Sequence, residues 1–366
     1  MSVIKQISDG GTSIWLDDLS RSKISGLDPH SLPYRIAHDG VVGVTTNPSI
    51  FSGAISKGAE YAGDIASMSQ LGAEAVIQKL TTDDVRSACD LFTSIHASSE
   101  GVDGRVSIEV DPRSARHTQA TIDEGRALWK LVDRPNLLIK VPATKEGLPA
   151  ITQLISEGIS VNVTLIFSVT RYAEVIDAYI SGLEKAEQNG KDLSQISSVA
   201  SFFISRIDTS IDALLKQVST PQSLSLLGKV AIANAAIAYE TFESKRSSSR
   251  WLHLAQLGAK MQRPLWASTG VKDPSYDDTR YVMELIAPDT VNTMPQATLD
   301  AVLDHGNYSG VSLNQTFANA HTVMAQLNQC EISLDEVTDA LEIDGVFKFA
   351  QSWEELITNV SKALTQ

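Results

Sequence analysis

The chain has little cysteine, no long apolar run and no excess of basic residues. Two cysteines, Cys89 and Cys330, are too few for a disulfide framework and fit a reducing compartment. Both fall in helix-like segments, where they read as packing residues. No stretch reaches the length needed to span a membrane, and the opening MSVIKQI has no signal-peptide core. Lysine and arginine number 30 against 44 acidic residues, a formal net charge of −14. That balance argues against a general binder of nucleic acid or of anionic membranes. An anionic small substrate needs only a few basic residues gathered locally. No GxGxxG follows the first strand-like run, and no GxxxxGK[ST] occurs, so the usual nucleotide fingerprints are missing. There is no GxSxG nucleophile elbow. None of His30, His38, His96, His117, His253, His305 and His321 lies in a strand-like run or an HExxH pair, so no metal site is expected. No Pro/Gly/Ser linker divides the 366 residues.

What the chain does have is alternation. Strand-like runs occur at 13–19, 42–49, 105–112, 136–143, 159–168, 198–205, 263–270 and 281–287. Helix-like segments stand between them at 72–98, 113–131, 146–157, 169–188 and 206–245. Alternating strand and helix signals imply a parallel sheet with crossover helices. Eight such units point to a closed (β/α)8 barrel of the TIM type, with an open doubly wound sheet as the alternative. The segment after about 296 continues helical and polar. It is expected to add helices packed on the barrel, so that residues 1–366 form one barrel domain with 296–366 as its extra helices.

Lys140 stands inside the apolar run NLLIKVPA at 136–143. A lysine is rarely buried without compensation. Desolvation disfavours an ammonium, which is one way a lysine is kept as the free amine that attacks a carbonyl. The plain alternative is a strand-end lysine snorkelling to water. Its neighbours weigh against that alternative. Side chains alternate along a strand, and the face opposite the apolar residues repeatedly carries polar ones. Asp17 lies opposite Ile14 and Leu16. Asn47 shares a face with Thr45 and Gly43. Glu109 lies with Ser107 and Asp111, Asn162 with Thr164 and Ser168, and Ser201 with Phe203. One such residue is ordinarily a cap. Six strands with polar residues near their C-terminal ends mark the place where barrel enzymes build their sites. An amine, two carboxylates and neutral hydrogen-bonding groups suit Schiff-base carbonyl chemistry. For a phosphate, the candidates are Arg206 after the sixth run and Ser268, Thr269 and Lys272 at the end of the seventh. An ion pair of Arg206 with Asp208 or with a nearby helix carboxylate is the structural alternative there.

The motifs TTNPS at 45–49, IEVDP at 108–112, IKVPAT at 139–144, VNVTLIFS at 161–168 and SFFISRID at 201–208 resemble, in order, the strand motifs of transaldolases. WLDDLSR at 15–21 and WASTGVK at 266–272 extend the resemblance over almost the whole chain. The length and the WASTGVK form are similar to a longer bacterial subgroup. The resemblance implies a cytoplasmic Schiff-base enzyme of the pentose phosphate pathway that works on sugar phosphates without metal or organic cofactor. It would carry a dihydroxyacetone unit from sedoheptulose 7-phosphate to glyceraldehyde 3-phosphate, giving erythrose 4-phosphate and fructose 6-phosphate. By the same resemblance, Lys140 would be the Schiff-base lysine and Asp17 the acid/base for carbon–carbon cleavage. Glu109 and Thr164 would hold the water of imine chemistry. Asn47, Asn162 and Ser201, with Phe203 beside them, would position the dihydroxyacetone unit, and Arg206 would bind phosphate. The family's familiar second arginine at strand seven is missing, and Ser268 and Lys272 are its possible substitutes. A fructose 6-phosphate aldolase-like lyase is the rival within the superfamily. Glu109 and Phe203 stand against it, where those relatives tend to have Gln and Tyr. A monomer and a homodimer are both compatible with the sequence.

Overall fold

A computed structural model describes residues 2–365. Eight parallel strands close into a barrel in sequence order. They are β1 (Thr12–Asp17), β2 (Val41–Thr45), β3 (Arg105–Glu109), β4 (Leu137–Pro142), β5 (Val161–Ile166), β6 (Ser198–Phe203), β7 (Arg263–Ala267) and β8 (Thr290–Met294). Helices on the outside cover one face of each strand and the barrel interior takes the other. β3, β4, β5, β6 and β8 are therefore buried at every position. The expected (β/α)8 barrel with additional helices is what the chain forms.

Seven of the eight expected strands are present, each within a few residues of the expected limits. The eighth is not at 281–287. That apolar segment opens with one helical turn, Arg280–Met283, and the true strand is Thr290–Met294. Periodicity does not separate a short buried helix from a buried strand. The real strand also hides its character, because Asn292 is polar and yet fully buried. Its side-chain amide nitrogen donates to the Tyr281 carbonyl at 2.9 Å, while its Oδ1 is buried without a partner among the described residues.

Helix limits also differ in places. The expected helix 206–245 is broken into Ser205–Val218, Pro221–Leu224 and Val230–Arg246. Ser219 turns left-handed at φ 53°, and Thr220 and Ser223 form a capping box around Pro221, which cannot continue the preceding helix. The segment 72–98 is two helices, Ala73–Leu91 and Thr93–Ser98, and the helix expected from 113 starts at Thr118.

The barrel interior is filled rather than hollow. Trp15 of β1 is fully buried, and it lies against Gly43 of β2. A Cβ on Gly43 would sit 2.5 Å from the Trp15 ring carbons Cδ2 and Cε2. Gly43 is there because the indole needs its space. Gly43→Ala should cost about 1–3 kcal/mol through overpacking, read as a lower urea midpoint with an unchanged slope.

Higher in the barrel the interior becomes polar. The hydroxyls of Thr45 (β2) and Thr293 (β8) meet at 2.7 Å although β1 runs between their strands, so they meet inside. In the same way the Asn162 amide of β5 reaches Ser107 Oγ of β3 at 3.0 Å across β4.

After β8 the helix Gln296–His305 packs on β1 and on the helix Val3–Asp9. Phe317–Gln329 packs on Val230–Arg246. The last helix, Leu334–Leu364, is capped by Ser333, whose Oγ accepts from Glu336 N at 3.2 Å. It crosses the helices Pro48–Lys57, Ala73–Leu91 and Ser205–Val218, and touches β5. No helix among the described residues is long and apolar enough to cross a membrane.

Candidate active site

The register of three adjacent strands sets the centre. Glu109 of β3 stands beside Lys140 of β4, which stands beside Asn162 of β5. Residues level with one another in a parallel sheet share a face. Asn162 reaches Ser107 inside the barrel, so Lys140 and Glu109 face the interior as well. The Lys140 side chain is 5% exposed and that of Glu109 3%. Lys140 Nζ lies 3.6 Å from Glu109 Oε2 and donates to the Thr46 carbonyl at 2.9 Å. Neither oxygen of Glu109 has a hydrogen-bond partner among the described residues. Burial pushes the Glu109 carboxyl up to about 7, against the opposing pull of Lys140. A buried ion pair with free acceptor atoms is a poor way to gain stability. A carboxyl near 7 is well placed to exchange protons at neutral pH.

Asp17 ends β1 and stands level with Thr45 of β2. Thr45 Oγ1 donates to Asp17 Oδ1 at 2.7 Å. Burial raises the Asp17 carboxyl, while the charge of Lys140 and the Thr45 hydroxyl lower it. Its charge in turn acts on Glu109. The three ionisable side chains therefore share one interior. Thr164 of β5 is fully buried, and its hydroxyl has no partner among the described residues. Ser201 Oγ donates to Asn162 Oδ1 at 2.7 Å, so β6 joins the same wall. Among the described residues no three His, Cys, Asp or Glu side chains gather so as to hold a metal ion.

Asn47 lies beyond the end of β2, not within a strand. It is the N-cap of the helix Pro48–Lys57, and its Oδ1 accepts from Ile50 N at 3.0 Å. Its position still borders Glu109: both line a cavity of about 130 Å³ with Phe51 and Trp353.

Phe203 ends β6 and packs on Phe167 with ring centroids 5.1 Å apart. The Arg206 guanidinium lies 5.3 Å from the Phe203 ring centroid, and its Nη1 is buried without a hydrogen-bond partner among the described residues. Arg206 forms no ion pair with Asp208, and the carboxylate whose charge acts on it is Asp344 of the helix Leu334–Leu364. Asp208 instead accepts from the Tyr281 hydroxyl at 2.6 Å and the Ala231 amide at 2.8 Å.

Ser268 follows β7 with φ 55°, and its hydroxyl meets that of Ser205 at 3.0 Å. Ser205 directly precedes Arg206, so the ends of β6 and β7 are tied one residue before the arginine. Thr269 turns away, donating to the Thr293 carbonyl at 3.0 Å. Lys272 is exposed and borders a cavity of about 430 Å³ together with Ser205 and Lys216.

The last helix adds what the motifs did not reveal. The Phe349 ring centroid lies 6.0 Å from Lys140 Nζ. A Cβ on Gly345 would lie 3.0 Å from Leu165 Cδ2 and 3.6 Å from Arg206 Nη1. This helix therefore roofs the barrel mouth between the lysine and the arginine. Gly345 lets it come close. Its sequence carried no strand-end motif, and only contact across the fold places it there.

The sequence pattern of the transaldolase/fructose-6-phosphate aldolase family matches residues 14–360. The chain belongs to this family. It is 52% identical over 366 residues to a protein of Thermobifida fusca named transaldolase, covering 99% of this chain and 98% of that one. Proteins named transaldolase from Mycolicibacterium smegmatis and Mycobacterium tuberculosis are each 54% identical, over 96% of this chain and 94% of theirs. Membership makes the chain a transaldolase-family enzyme, as its strand motifs led one to expect.

Proposed function

We propose that the chain transfers a dihydroxyacetone unit from sedoheptulose 7-phosphate to glyceraldehyde 3-phosphate through a Schiff base on Lys140, forming erythrose 4-phosphate and fructose 6-phosphate in the pentose phosphate pathway. The observation that carries this reading is a buried amine 3.6 Å from a buried carboxylate with no other partner, at the C-terminal ends of barrel strands. Lys140 passes its ammonium proton to Glu109, the free amine adds to the C2 carbonyl of the ketose, and an amine proton moves to the carbonyl oxygen to give the carbinolamine. The carbinolamine hydroxyl leaves as water, taking a proton from Glu109, with Thr164 holding that water. Asp17 removes the C4 hydroxyl proton as the C3–C4 bond breaks. The aldehyde departs, and the bond electrons remain on the three-carbon enamine. The acceptor aldehyde adds to this carbon with Asp17 returning the proton, and hydration of the imine frees the product. Asn47, Asn162 and Ser201 hold the hydroxyls beside Phe203, and Arg206 holds the phosphate with Ser268 or Lys272. Sugar phosphates are the only partners this reading requires, in the cytoplasm and without a cofactor. Its test is product analysis: both sugar phosphates must form from the two substrates. Free dihydroxyacetone released from fructose 6-phosphate without an acceptor would instead favour an aldolase-like lyase.

Glu109 gives the half-reactions opposite pH dependences. Dehydration of the carbinolamine needs its acid form, whereas hydration of the imine needs its carboxylate. Imine formation in single turnovers should fall as pH rises through about 7, and imine hydrolysis should rise through the same range. Rapid quenching into borohydride measures both. Glu109→Gln should flatten both profiles and slow both steps.

Arg206→Ala should weaken fructose 6-phosphate by about 10- to 150-fold, the roughly 1.5–3 kcal/mol of a charge-assisted contact. Unphosphorylated fructose should be little affected. The ratio of the two kcat/KM values is the measurement, and an unchanged ratio would place the phosphate elsewhere, with Lys272→Ala the next variant.

A further inference from the structure

A second cluster of basic side chains lies at the opposite pole of the barrel. Arg105 is the first residue of β3, Lys260 precedes β7, Ser194 precedes β6 and Pro135 precedes β4. These are the N-terminal ends of the strands, away from Lys140. Together with His96, Glu100 and Gly101 they line a cavity of about 460 Å³. Three nitrogens converge there on one point. A Cβ built on Gly101 would lie 3.2 Å from Arg105 Nη2, 3.2 Å from His96 Nε2 and 3.3 Å from Lys260 Nζ. Gly101 has φ 78°, which favours glycine, so no side chain of residue 101 stands between the three nitrogens.

None of these groups forms an ion pair within 4 Å among the described residues, although the charges of Glu100 and Asp192 act on Lys260 and that of Asp103 on Arg105. Arg105 is 2% exposed. Its Nε and Nη2 donate to the Gly101 carbonyl at 2.8 and 2.6 Å, and Nη2 also donates to Ser197 Oγ at 2.6 Å. Its Nη1 is buried with no partner among the described residues, and so is His96 Nε2. Lys260 Nζ donates to the Glu100 and Ser194 carbonyls at 2.6 and 2.7 Å. Nearby carboxylates are engaged elsewhere. Asp103 pairs with Arg263 at 3.0 Å and accepts from Ser13 Oγ at 2.9 Å. Asp192 accepts from the amide and hydroxyl of Ser194. The Glu100 side chain is exposed at the cavity rim. Burial and mutual repulsion bear on the whole cluster. The His96 imidazole is pushed down to about 4 by burial and by Arg105 and Lys260, and Lys260 is lowered by burial and by Arg105. The donors that are engaged go to carbonyl and hydroxyl oxygens, which carry no charge to offset the cluster.

We propose that this cavity is a binding site for a tetrahedral oxyanion of the phosphate class, free or as the end of a phosphate monoester, held by Arg105, Lys260 and His96 at the pole opposite the catalytic lysine. The guanidinium supplies a planar donor and the ammonium a point charge, the pairing that suits phosphate oxygens. An anion here ties together the beginnings of β3, β6 and β7. It binds the folded chain alone and so stabilises it.

The test uses Arg206→Ala protein, which removes the phosphate contact assigned to the barrel mouth. It is titrated with sodium phosphate and, at matched ionic strength, with sodium chloride, by calorimetry and thermal melting. One saturable phosphate site is expected, with a rise in Tm of roughly 3–5 °C at a hundredfold excess over Kd. Adding Lys260→Met should weaken that site at least about tenfold. In the otherwise unaltered enzyme Lys260→Met should leave kcat without phosphate unchanged. Glycerol 3-phosphate in place of phosphate separates the two sources. Equal binding means that an ester end is accepted, and much weaker binding means that the free anion is the ligand. Phosphate acting no better than chloride overturns the proposal, as does phosphate affinity that survives Lys260→Met. Arg105→Gln, where it folds, must give the same answer as Lys260→Met.

Discussion

Lys140→Arg should lose turnover by on the order of 10⁴-fold or more, the scale on which removal of a covalent nucleophile is felt. The guanidinium remains protonated and has no lone pair to offer a carbonyl. The Lys140 amine donates to the Thr46 carbonyl at 2.9 Å, and the Phe349 ring centroid lies 6.0 Å from it. Two measurements check this. Steady-state transfer from fructose 6-phosphate gives the loss, and far-UV circular dichroism verifies that the variant is folded. Borohydride reduction of the wild type with fructose 6-phosphate should add a three-carbon unit to the peptide that contains Lys140, and the variant should gain none. A three-carbon adduct on another lysine, with Lys140 unmodified, would falsify the assignment.

Asp17→Asn should stop the reaction one step later. The amide keeps the shape of the carboxylate, and its oxygen still accepts from Thr45, which donates to Asp17 Oδ1 at 2.7 Å. What is lost is the ability to take the C4 hydroxyl proton. Imine formation should persist while release of glyceraldehyde 3-phosphate falls by about 10²- to 10⁴-fold, the usual reach of a general base. The mass of the trapped adduct distinguishes the steps. The wild type should yield the three-carbon adduct, and Asp17→Asn the whole six-carbon sugar phosphate on Lys140. Release of the aldehyde at the wild-type rate would remove Asp17 from this role. The contrast with Glu109→Gln, which should slow imine formation itself, separates two carboxylates that share one interior.

The interior-facing residues were legible because a strand repeats every two positions. Glu109, Lys140 and Asn162 each stood opposite apolar neighbours, and the register places them side by side. Asn47 was read on a strand face because TTNPS continues the apolar run. In the structure β2 ends at Thr45, and Pro48 starts a helix that Asn47 caps. A polar residue just past a strand end serves equally as a cap or a ligand, and sequence pattern does not separate the two. The partners of Asp17 were not legible at all. Thr45 and Thr293 meet at 2.7 Å across 248 positions of chain, and no local period encodes such a meeting.

The sequence by itself determined the alternation of strand and helix, the interior face shared by Glu109, Lys140 and Asn162, and the family to which the ordered motifs belong. Each of these rests on short-range pattern: period two in strands, turn residues at their ends, and residue types within a few positions of one another. Tertiary structure alone decided that the eighth strand is the half-polar Thr290–Met294, because the burial of Asn292 depends on the Tyr281 carbonyl packed against it. It alone laid the helix Leu334–Leu364 over the mouth, with Phe349 above Lys140 and Gly345 against Arg206. It alone gathered Arg105, His96 and Lys260 around Gly101. Those juxtapositions come from closing eight strands into one ring, which brings together side chains that share no period, no motif and no neighbourhood along the chain.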